Sequence, residues 1–182
     1  MAKKKGILER LKDGPVLGDG GYLLELEKRG WVRAGPFTPE VALLHPDALR
    51  ELHVEFREAG ADVLQALTFY ASRDKLATVG LENRLEELNR AAVRIAREVA
   101  GEQCLVAGNL SLTWMYEPDS PAAADRVRKT FDEQLAVQLD EGVRILGNIL
   151  DADPDTVAIG QRVVVAWDRL SDDVQYPAFR IV

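Results

Sequence analysis

The stretch Asp62-Val63-Leu64-Gln65-Ala66-Leu67-Thr68-Phe69 decides the fold of this chain. It is a nearly continuous apolar run, which predicts a strand covered on both faces, as in a parallel sheet. A helical pattern precedes it from about Pro46 to Ala59 and closes at Gly60, and another follows it from about Leu81 to Val99. Strands that alternate with helices in this way indicate an α/β fold.

Two further strand–helix units flank this one. The first has a short strand at Pro15–Leu17, a Gly18-Asp19-Gly20-Gly21 turn and a helix at Tyr22–Arg29. In the last, a strand at Cys104–Leu110 precedes a helix that begins at Ser120-Pro121 and ends before Gly142. About three such units fit an open doubly wound sheet or part of a closed eight-stranded barrel, and periodicity does not choose between them. The first turn lacks Gly-x-Gly-x-x-Gly, which disfavours dinucleotide binding.

Each of the two longer later helices has a predicted buried stripe. The stripe of the earlier helix is Leu85, Leu88, Ala92, Ile95 and Val99, and that of the later one is Val127, Phe131, Leu135 and Leu139 or its neighbours.

After Gly142 the helical periodicity disappears. Apolar or β-branched runs at Val143–Leu150, Gln161–Trp167 and Tyr176–Arg180 predict a meander of antiparallel strands. The sequence therefore predicts two parts, a βα portion at residues 1–142 and a short β-rich tail at residues 143–182.

Composition excludes several classes of partner. Twenty-three basic against 30 acidic residues give a net charge of −7, which makes nucleic acid an unexpected partner. No apolar run approaches the ~20 residues that span a bilayer, so we expect a cytoplasmic protein without a membrane partner. The lone cysteine, Cys104, excludes an internal disulfide and a cysteine-cluster zinc site, and we expect it to be a buried apolar side chain. His45 and His53 lack metal-site spacing and are predicted to be surface or capping residues.

Candidate functional residues follow the strands, because side chains at the carboxyl ends of parallel strands line active sites. They are Asp19, Gly20 and Gly21, then Thr68, Phe69 and Tyr70, then Asn109, Ser111 and Thr113. Asp19 either bonds the amides of a tight turn or accepts hydrogen bonds from a ligand ammonium group. Phe69 and Tyr70 either pack in the core or form an aromatic wall, with Phe37 and Trp114, against a methylated cation.

Five segments carry a resemblance to a known family. They are Lys5–Leu11 (KGILERL), Gly18–Tyr22 (GDGGY), Leu26–Gly30 (LEKRG), Ala34–Glu40 (AGPFTPE) and Leu67–Leu76 (LTFYASRDKL). Over roughly residues 4–142 the chain resembles the amino-terminal part of the betaine–homocysteine S-methyltransferases. That resemblance implies a partial (βα)₈ TIM-type barrel and methyl transfer from betaine or a related donor to homocysteine, a step of methionine biosynthesis.

The resemblance also implies roles for five residues. Asp19 and Gly20 match positions that hold the amino and carboxylate ends of homocysteine, and Phe37, Phe69 and Tyr70 match the donor-binding aromatic wall. Phe37 stands where the vertebrate enzymes have tryptophan, so the identity of the methyl donor stays open. The family's zinc is held by three cysteines from later strands, and a glutamate of its next strand helps to hold homocysteine. These are absent here, so we expect no catalytic residue, no metal site and no cofactor in this chain.

The tail resembles a different family. Three segments carry this likeness: Ile145–Leu150 (ILGNIL), Asp153–Val163 (DPDTVAIGQRV) and Tyr176–Arg180 (YPAFR). They resemble the end of the OB-fold proteins that accompany thiolases and bind acyl-coenzyme A.

Two hypotheses follow. The first is a truncated homocysteine S-methyltransferase, inactive alone, whose exposed strand edges predict a homo-oligomer or a complementing chain. The alternative is a non-catalytic scaffold that docks an acyl-coenzyme A enzyme through its OB-like tail. A fusion without a selected function is also open.

Overall fold

The computed structural model describes residues 4–33, 39–111, 113–117, 119–142, 149–153, 156–157, 161–169 and 175–182. The chain divides into two compact units. The first comprises residues 1–116 and 121–144, and the second comprises residues 117–120 and 145–182.

The first unit is α/β. Its helices are α1 (Ile7–Asp13), α2 (Tyr22–Lys28), α3 (Val41–Leu44), α4 (Pro46–Glu58), α5 (Arg73–Ala77), α6 (Leu85–Ala100) and α7 (Pro121–Asp140), and its strands are β1 (Val63–Gln65) and β2 (Leu105–Ala107). The two strands are parallel, with Val63 opposite Leu105. The predicted alternation of strands and helices with parallel pairing is confirmed.

The predicted first strand at Pro15–Leu17 is reduced to one parallel bridge, between Gly18 and Val63. The Val63 amide donates to the Leu17 oxygen at 3.1 Å, and the Asp19 amide donates to the Val63 oxygen at 3.1 Å. On the other side, the Asp62 oxygen accepts from the Leu105 amide at 2.8 Å and the Ala66 amide donates to the Ala107 oxygen at 2.9 Å, so β1 lies between this segment and β2. The three predicted strands therefore lie side by side in the order in which they occur along the chain.

The strands are shorter than predicted. The chain leaves β1 after Gln65 because the Thr68 amide turns back to the Ala66 oxygen at 2.8 Å, and the Ala71 amide then bonds the Thr68 oxygen at 3.0 Å. These turns bring the residues after β1 to the edge of the sheet where parallel strands end.

Helix α6 provides most of the core contacts. Its predicted stripe is buried throughout, at Leu85, Leu88, Ala92, Ile95 and Val99. Leu26, Leu49 and Leu52 from α2 and α4 pack in the same cluster as Ala92 and Ile95. Gly60 has the positive φ (102°) expected of a residue that follows a helix.

The stripe predicted for α7 is confirmed only in part, because Val127, Phe131 and Leu139 are half-buried. Of its four residues only Leu135 is buried, and the residues buried with it include Thr130, Gln134 and Gln138. The face turned inward is largely polar, because its amide side chains bond backbone groups that the sheet leaves free.

The second unit contains a three-stranded sheet of β3 (Ile149–Leu150), β4 (Val163–Arg169) and β5 (Gln175–Ile181), with β5 in the middle. β4 and β5 are antiparallel, as predicted, but β3 pairs with β5 in parallel, so the antiparallel meander is wrong for that strand. Most of the predicted strand Val143–Leu150 lies outside the described residues. Among the described residues, no helix has the length and apolar character needed to cross a membrane.

Candidate functional site

A cavity of about 320 Å³ opens at the sheet edge of the first unit. Gly21, Tyr22, Leu23, Pro39, Gln65, Leu67, Phe69, Tyr70 and Asn109 line it. The lining includes residues that follow all three neighbouring parallel segments. The structure therefore brings together Phe69, Tyr70 and Asn109 as the topology predicts, whereas Phe37 lies outside the described residues.

Asp19 is half-buried and bonds two of the lining residues, Tyr22 and Gln65. Its Oδ1 and Oδ2 accept from the Gln65 amide at 3.0 and 2.9 Å, and Oδ2 also accepts from the Tyr22 hydroxyl. Burial raises the pKa of the Asp19 carboxyl above its usual value, while the bonds from Tyr22 and Gln65 act to lower it. The tight-turn interpretation is incomplete, because Asp19 binds the Gln65 amide of β1 as well as its own backbone amide.

Tyr22 begins α2 and is 5% exposed. Its hydroxyl lies 2.6 Å from Nδ1 of His53, and its ring packs against His53 and Phe56 with centroids 5.0 Å away. Burial and the adjacent Asp19 raise the pKa of Tyr22, so it stays protonated. The tyrosine therefore joins Asp19 to a residue of α4.

His53 is completely buried, which corrects its prediction as a surface residue. Burial lowers its pKa to about 4, so the ring is neutral at physiological pH. Its position on the inner face of α4, beside Leu49 and Leu52, is the signal that the spacing argument missed. His45 is exposed at the N-cap of α4, as predicted, and stacks on Trp31 with centroids 5.0 Å apart.

The two glycines after Asp19 differ. Gly21 has φ +75°, a left-handed conformation that favours glycine, and it directly precedes α2. Gly20 is exposed, and a Cβ there would meet no atom within 4 Å of the described structure. Gly21 is thus required by the turn, whereas Gly20 leaves space beside Asp19.

Phe69 and Tyr70 form an edge-to-face pair with centroids 4.8 Å apart, and both are partly exposed at the cavity. Trp114 does not line this cavity. Its ring lies under the Lys75 ammonium, whose Nζ is 2.8 Å from the ring centroid and 5.8 Å from that of Tyr70. The predicted aromatic wall therefore reduces, in the described residues, to Phe69 and Tyr70, because a cation of the protein itself covers one face of Trp114.

A buried polar network supports the cavity, and the sequence analysis missed it. Gln134 Nε2 donates to the Thr68 oxygen at 2.8 Å, and Gln134 Oε1 accepts from the Ser111 amide at 3.0 Å. Gln138 Nε2 donates to the Asn109 oxygen at 2.9 Å, and Asn89 Nδ2 donates to the Ala71 oxygen at 2.8 Å. These bonds fix the loops that carry Phe69, Tyr70 and Asn109. The signal was the spacing of two glutamines one helical turn apart on α7.

The residues present do not fit the family's zinc ion. Cys104 packs with Leu64, Val99 and Ala100, and its thiol donates to the Ala61 oxygen at 3.1 Å. Burial raises the pKa of this thiol, which disfavours the thiolate that zinc requires. The described residues contain no cluster of three or more His, Cys, Asp or Glu side chains arranged to hold a metal.

Comparison of the sequence with known proteins identifies a family. The sequence model of the family described as homocysteine S-methyltransferase matches residues 16–157. The chain belongs to the homocysteine S-methyltransferase family. The match extends past residue 142 into the segment predicted to be the β-rich tail.

Several curated members are similar to this chain. Betaine–homocysteine S-methyltransferase 1 of Danio rerio is 49% identical over 152 residues, covering 80% of this chain and 37% of that protein. The Sus scrofa protein of that name is 49% identical over 149 residues, covering 79% and 53%. The S-methylmethionine–homocysteine S-methyltransferase of Pongo abelii is 48% identical over 136 residues, covering 74% and 36%. The chain thus spans between about a third and a half of the length of these relatives.

Solved structures agree on the fold. The homocysteine methyltransferase MmuM of Escherichia coli, in its metallated form, matches with a TM-score of 0.64 and 24% identity. The match covers 77% of this chain and 56% of that one.

Proposed function

We propose that this chain is the substrate-binding portion of a homocysteine S-methyltransferase, a partial (βα)₈ barrel that binds homocysteine and a methylated donor but transfers no methyl group by itself. One observation carries the proposal: a single cavity is lined both by Tyr22 and Gln65, which bond Asp19, and by the aromatic pair Phe69 and Tyr70. An acidic group bonded to two of the lining residues, together with an aromatic pair in the lining, suits an amino acid and a quaternary ammonium compound.

Asp19 and Gly20 are the residues proposed to bind homocysteine. An ionised carboxylate offers about four acceptor positions, and in the described residues the Asp19 carboxylate accepts from Tyr22, from the Gln65 amide and from its own amide, which leaves a position on Oδ1. A ligand ammonium can therefore bond the same oxygen. Gly20, with open space where a Cβ would project, lets the ligand approach the backbone.

Tyr70 and Phe69 are the residues proposed to bind the methyl donor. Aromatic faces attract quaternary ammonium groups through the negative potential of the ring. The cavity of about 320 Å³ is at the small end of the range for ligand sites, roughly 300–1,000 Å³, which suits a compact donor such as betaine. The part assigned to Phe37 depends on the resemblance alone.

We expect no methyl transfer because the thiol of homocysteine must be ionised in order to react. A free thiol has a pKa of about 8.5 and is mostly protonated at neutral pH, so transfer requires something that stabilises the thiolate. The sequence has one cysteine, Cys104, and it packs in the core. These 182 residues therefore supply no cysteine cluster that could hold zinc and stabilise the homocysteine thiolate.

A radiolabel experiment tests both halves of the proposal. The purified chain is incubated with L-homocysteine, methyl-labelled betaine and zinc, and both retained label and labelled methionine are measured. We expect betaine retention that unlabelled betaine displaces, without methionine above the protein-free control. Methionine formation by the pure chain would overturn the inactive part, and no retention of label would overturn the donor part.

We also propose that the barrel portion associates with a second copy or a complementing chain. In the described part of the first unit, β2 pairs with β1 alone, and strand edges left open in this way attract partners. Sedimentation velocity measures the mass directly. A species of twice the chain mass or more is expected, and a monodisperse monomer at all concentrations would overturn this proposal.

A further inference from the structure

The Tyr22 hydroxyl connects the half-buried Asp19 to the buried His53, two residues that the family assignment does not link. It bonds Oδ2 of Asp19 on one side and lies 2.6 Å from Nδ1 of His53 on the other. A phenol has one proton to donate. An ionised Asp19 only accepts, so the tyrosine proton is directed to Asp19, and the second contact requires a proton on Nδ1 of His53.

The tautomer of His53 follows from these donor and acceptor roles. With Nδ1 protonated and the ring neutral, Nε2 carries a lone pair and no proton. Nε2 is buried and has no hydrogen-bond partner among the described residues, so no neighbour there holds a proton on it. The lowered pKa of the ring agrees with a neutral histidine.

The charged groups nearby do not disturb this unit. Tyr22 is the titratable side chain that acts on the Asp19 carboxyl in the described part of the chain. The ionic residues that join α2 and α4, Arg29 and Glu55, bond each other at the exposed side of the two helices, and Glu25 lies beside them. Burial and the hydrogen bonds within the unit of Asp19, Tyr22 and His53 therefore set how the Asp19 carboxyl titrates.

We propose that Tyr22 and His53 are positioning residues for ligand binding: the donor chain from His53 Nδ1 through the Tyr22 hydroxyl holds Asp19 ionised and leaves its Oδ1 to accept a ligand ammonium group. This inference rests on the proposed function for its ligand, but the hydrogen-bond chain itself does not. Tyr22 acts through Asp19, since its own hydroxyl is used within the chain.

The ligand-free protein tests the chain of donors first. Long-range ¹H–¹⁵N correlation spectra distinguish the two histidine tautomers, and the chain has only His45 and His53. His53→Asn identifies the His53 signal, and exposed His45 serves as the internal reference. We expect the Nδ1–H form for His53 from neutral pH down to about pH 5. An Nε2–H tautomer, or a protonated ring at neutral pH, would overturn the proposal.

Variants test the effect on Asp19. Tyr22→Phe keeps the ring and its packing but removes the bond that favours the carboxylate. We expect the Asp19 carboxyl, followed by ¹³C NMR, to titrate roughly one pH unit higher in this variant. His53→Asn restores a donor at the place of Nδ1 and should keep the wild-type midpoint, whereas His53→Leu should not. An unchanged midpoint in Tyr22→Phe would overturn the positioning role.

Binding of L-homocysteine separates this inference from the proposed function. Calorimetry across pH should show affinity lost on the acid side, with the loss occurring at higher pH in Tyr22→Phe than in the wild type. If the ligand-free spectra agree but the wild type binds no homocysteine at any pH, the proposed function fails and the ligand part of this inference fails with it. If homocysteine binds but its affinity is lost at the same pH in Tyr22→Phe and in the wild type, the positioning role alone is overturned.

Discussion

Gln134 of α7 donates a 2.8 Å hydrogen bond to the backbone oxygen of Thr68, although the two residues are 66 positions apart. Both side chains are completely buried. The same glutamine accepts from the Ser111 amide, so one side chain ties the loop after β1 to the loop after β2. The geometry of the cavity thus depends on a helix that does not line it.

Replacing Gln134 with leucine should lower the free energy of unfolding by about 2 kcal/mol, because the buried Ser111 amide loses its acceptor. Urea unfolding followed by circular dichroism measures the change. Gln103→Leu, on an exposed side chain, is the matched control and should change stability by less than about 0.5 kcal/mol. Equal stability of the two variants would contradict the structural role of the network.

The two glycines after Asp19 should respond differently to alanine. Gly21→Ala places a Cβ in a left-handed conformation and should cost about 1 kcal/mol of stability. Gly20→Ala should leave stability nearly unchanged, because its Cβ meets open space, but it should weaken homocysteine binding if the ligand approaches that backbone. Thermal melting and calorimetry measure the two effects. Loss of binding without loss of stability in Gly21→Ala would contradict this division.

His53 makes stability depend on pH in a defined window. Its folded-state pKa is about 4 and the usual value is 6.5, so between these values the unfolded chain binds the extra proton. Stability from this group is therefore complete above pH 6.5 and declines as the pH falls toward 4, by on the order of 3 kcal/mol in total.

The comparison of two histidine variants isolates this effect. His53→Asn should flatten the acid-side decline in urea unfolding curves measured from pH 7 to pH 4. His45→Asn, at an exposed position, should keep the wild-type decline. A wild-type decline in His53→Asn would show that the buried ring is not its source.

The aromatic residues should contribute unequally to binding of the donor. Tyr70→Leu should weaken betaine binding roughly tenfold, because a desolvated cation–aromatic contact is lost. Trp114→Leu should change it less than about twofold, because Lys75 already covers the Trp114 ring. Calorimetric titration with betaine gives both values. Equal losses would restore Trp114 to the donor-binding wall.

Local pattern predicted the first unit well where apolar periodicity was strong. The buried stripe of α6 and the parallel neighbours β1 and β2 follow directly from spacing and composition. The candidate residues Phe69, Tyr70 and Asn109 meet at one cavity because parallel strands end at a common edge.

Pairwise chemistry between distant residues could not be predicted in this way. Gln134 and Gln138 lie outside the predicted apolar stripe, and nothing in α7 alone indicates their bonds to the backbone oxygens of Thr68 and Asn109. His53 looked exposed for the same reason, because its partner Tyr22 lies on another helix. The parallel pairing of β3 with β5 depends on tertiary placement rather than on strand composition.

The central claim is that Asp19 holds the ammonium group of homocysteine, and calorimetric titration with L-homocysteine tests it most directly. Asp19→Asn keeps the shape of the side chain but removes its charge, and Asp13→Asn, at an exposed ion pair with Lys5, is the matched control. We expect saturable binding to the wild type and to Asp13→Asn, and affinity at least about tenfold weaker in a folded Asp19→Asn. Equal affinity in all three proteins, or no binding to the wild type, would contradict it.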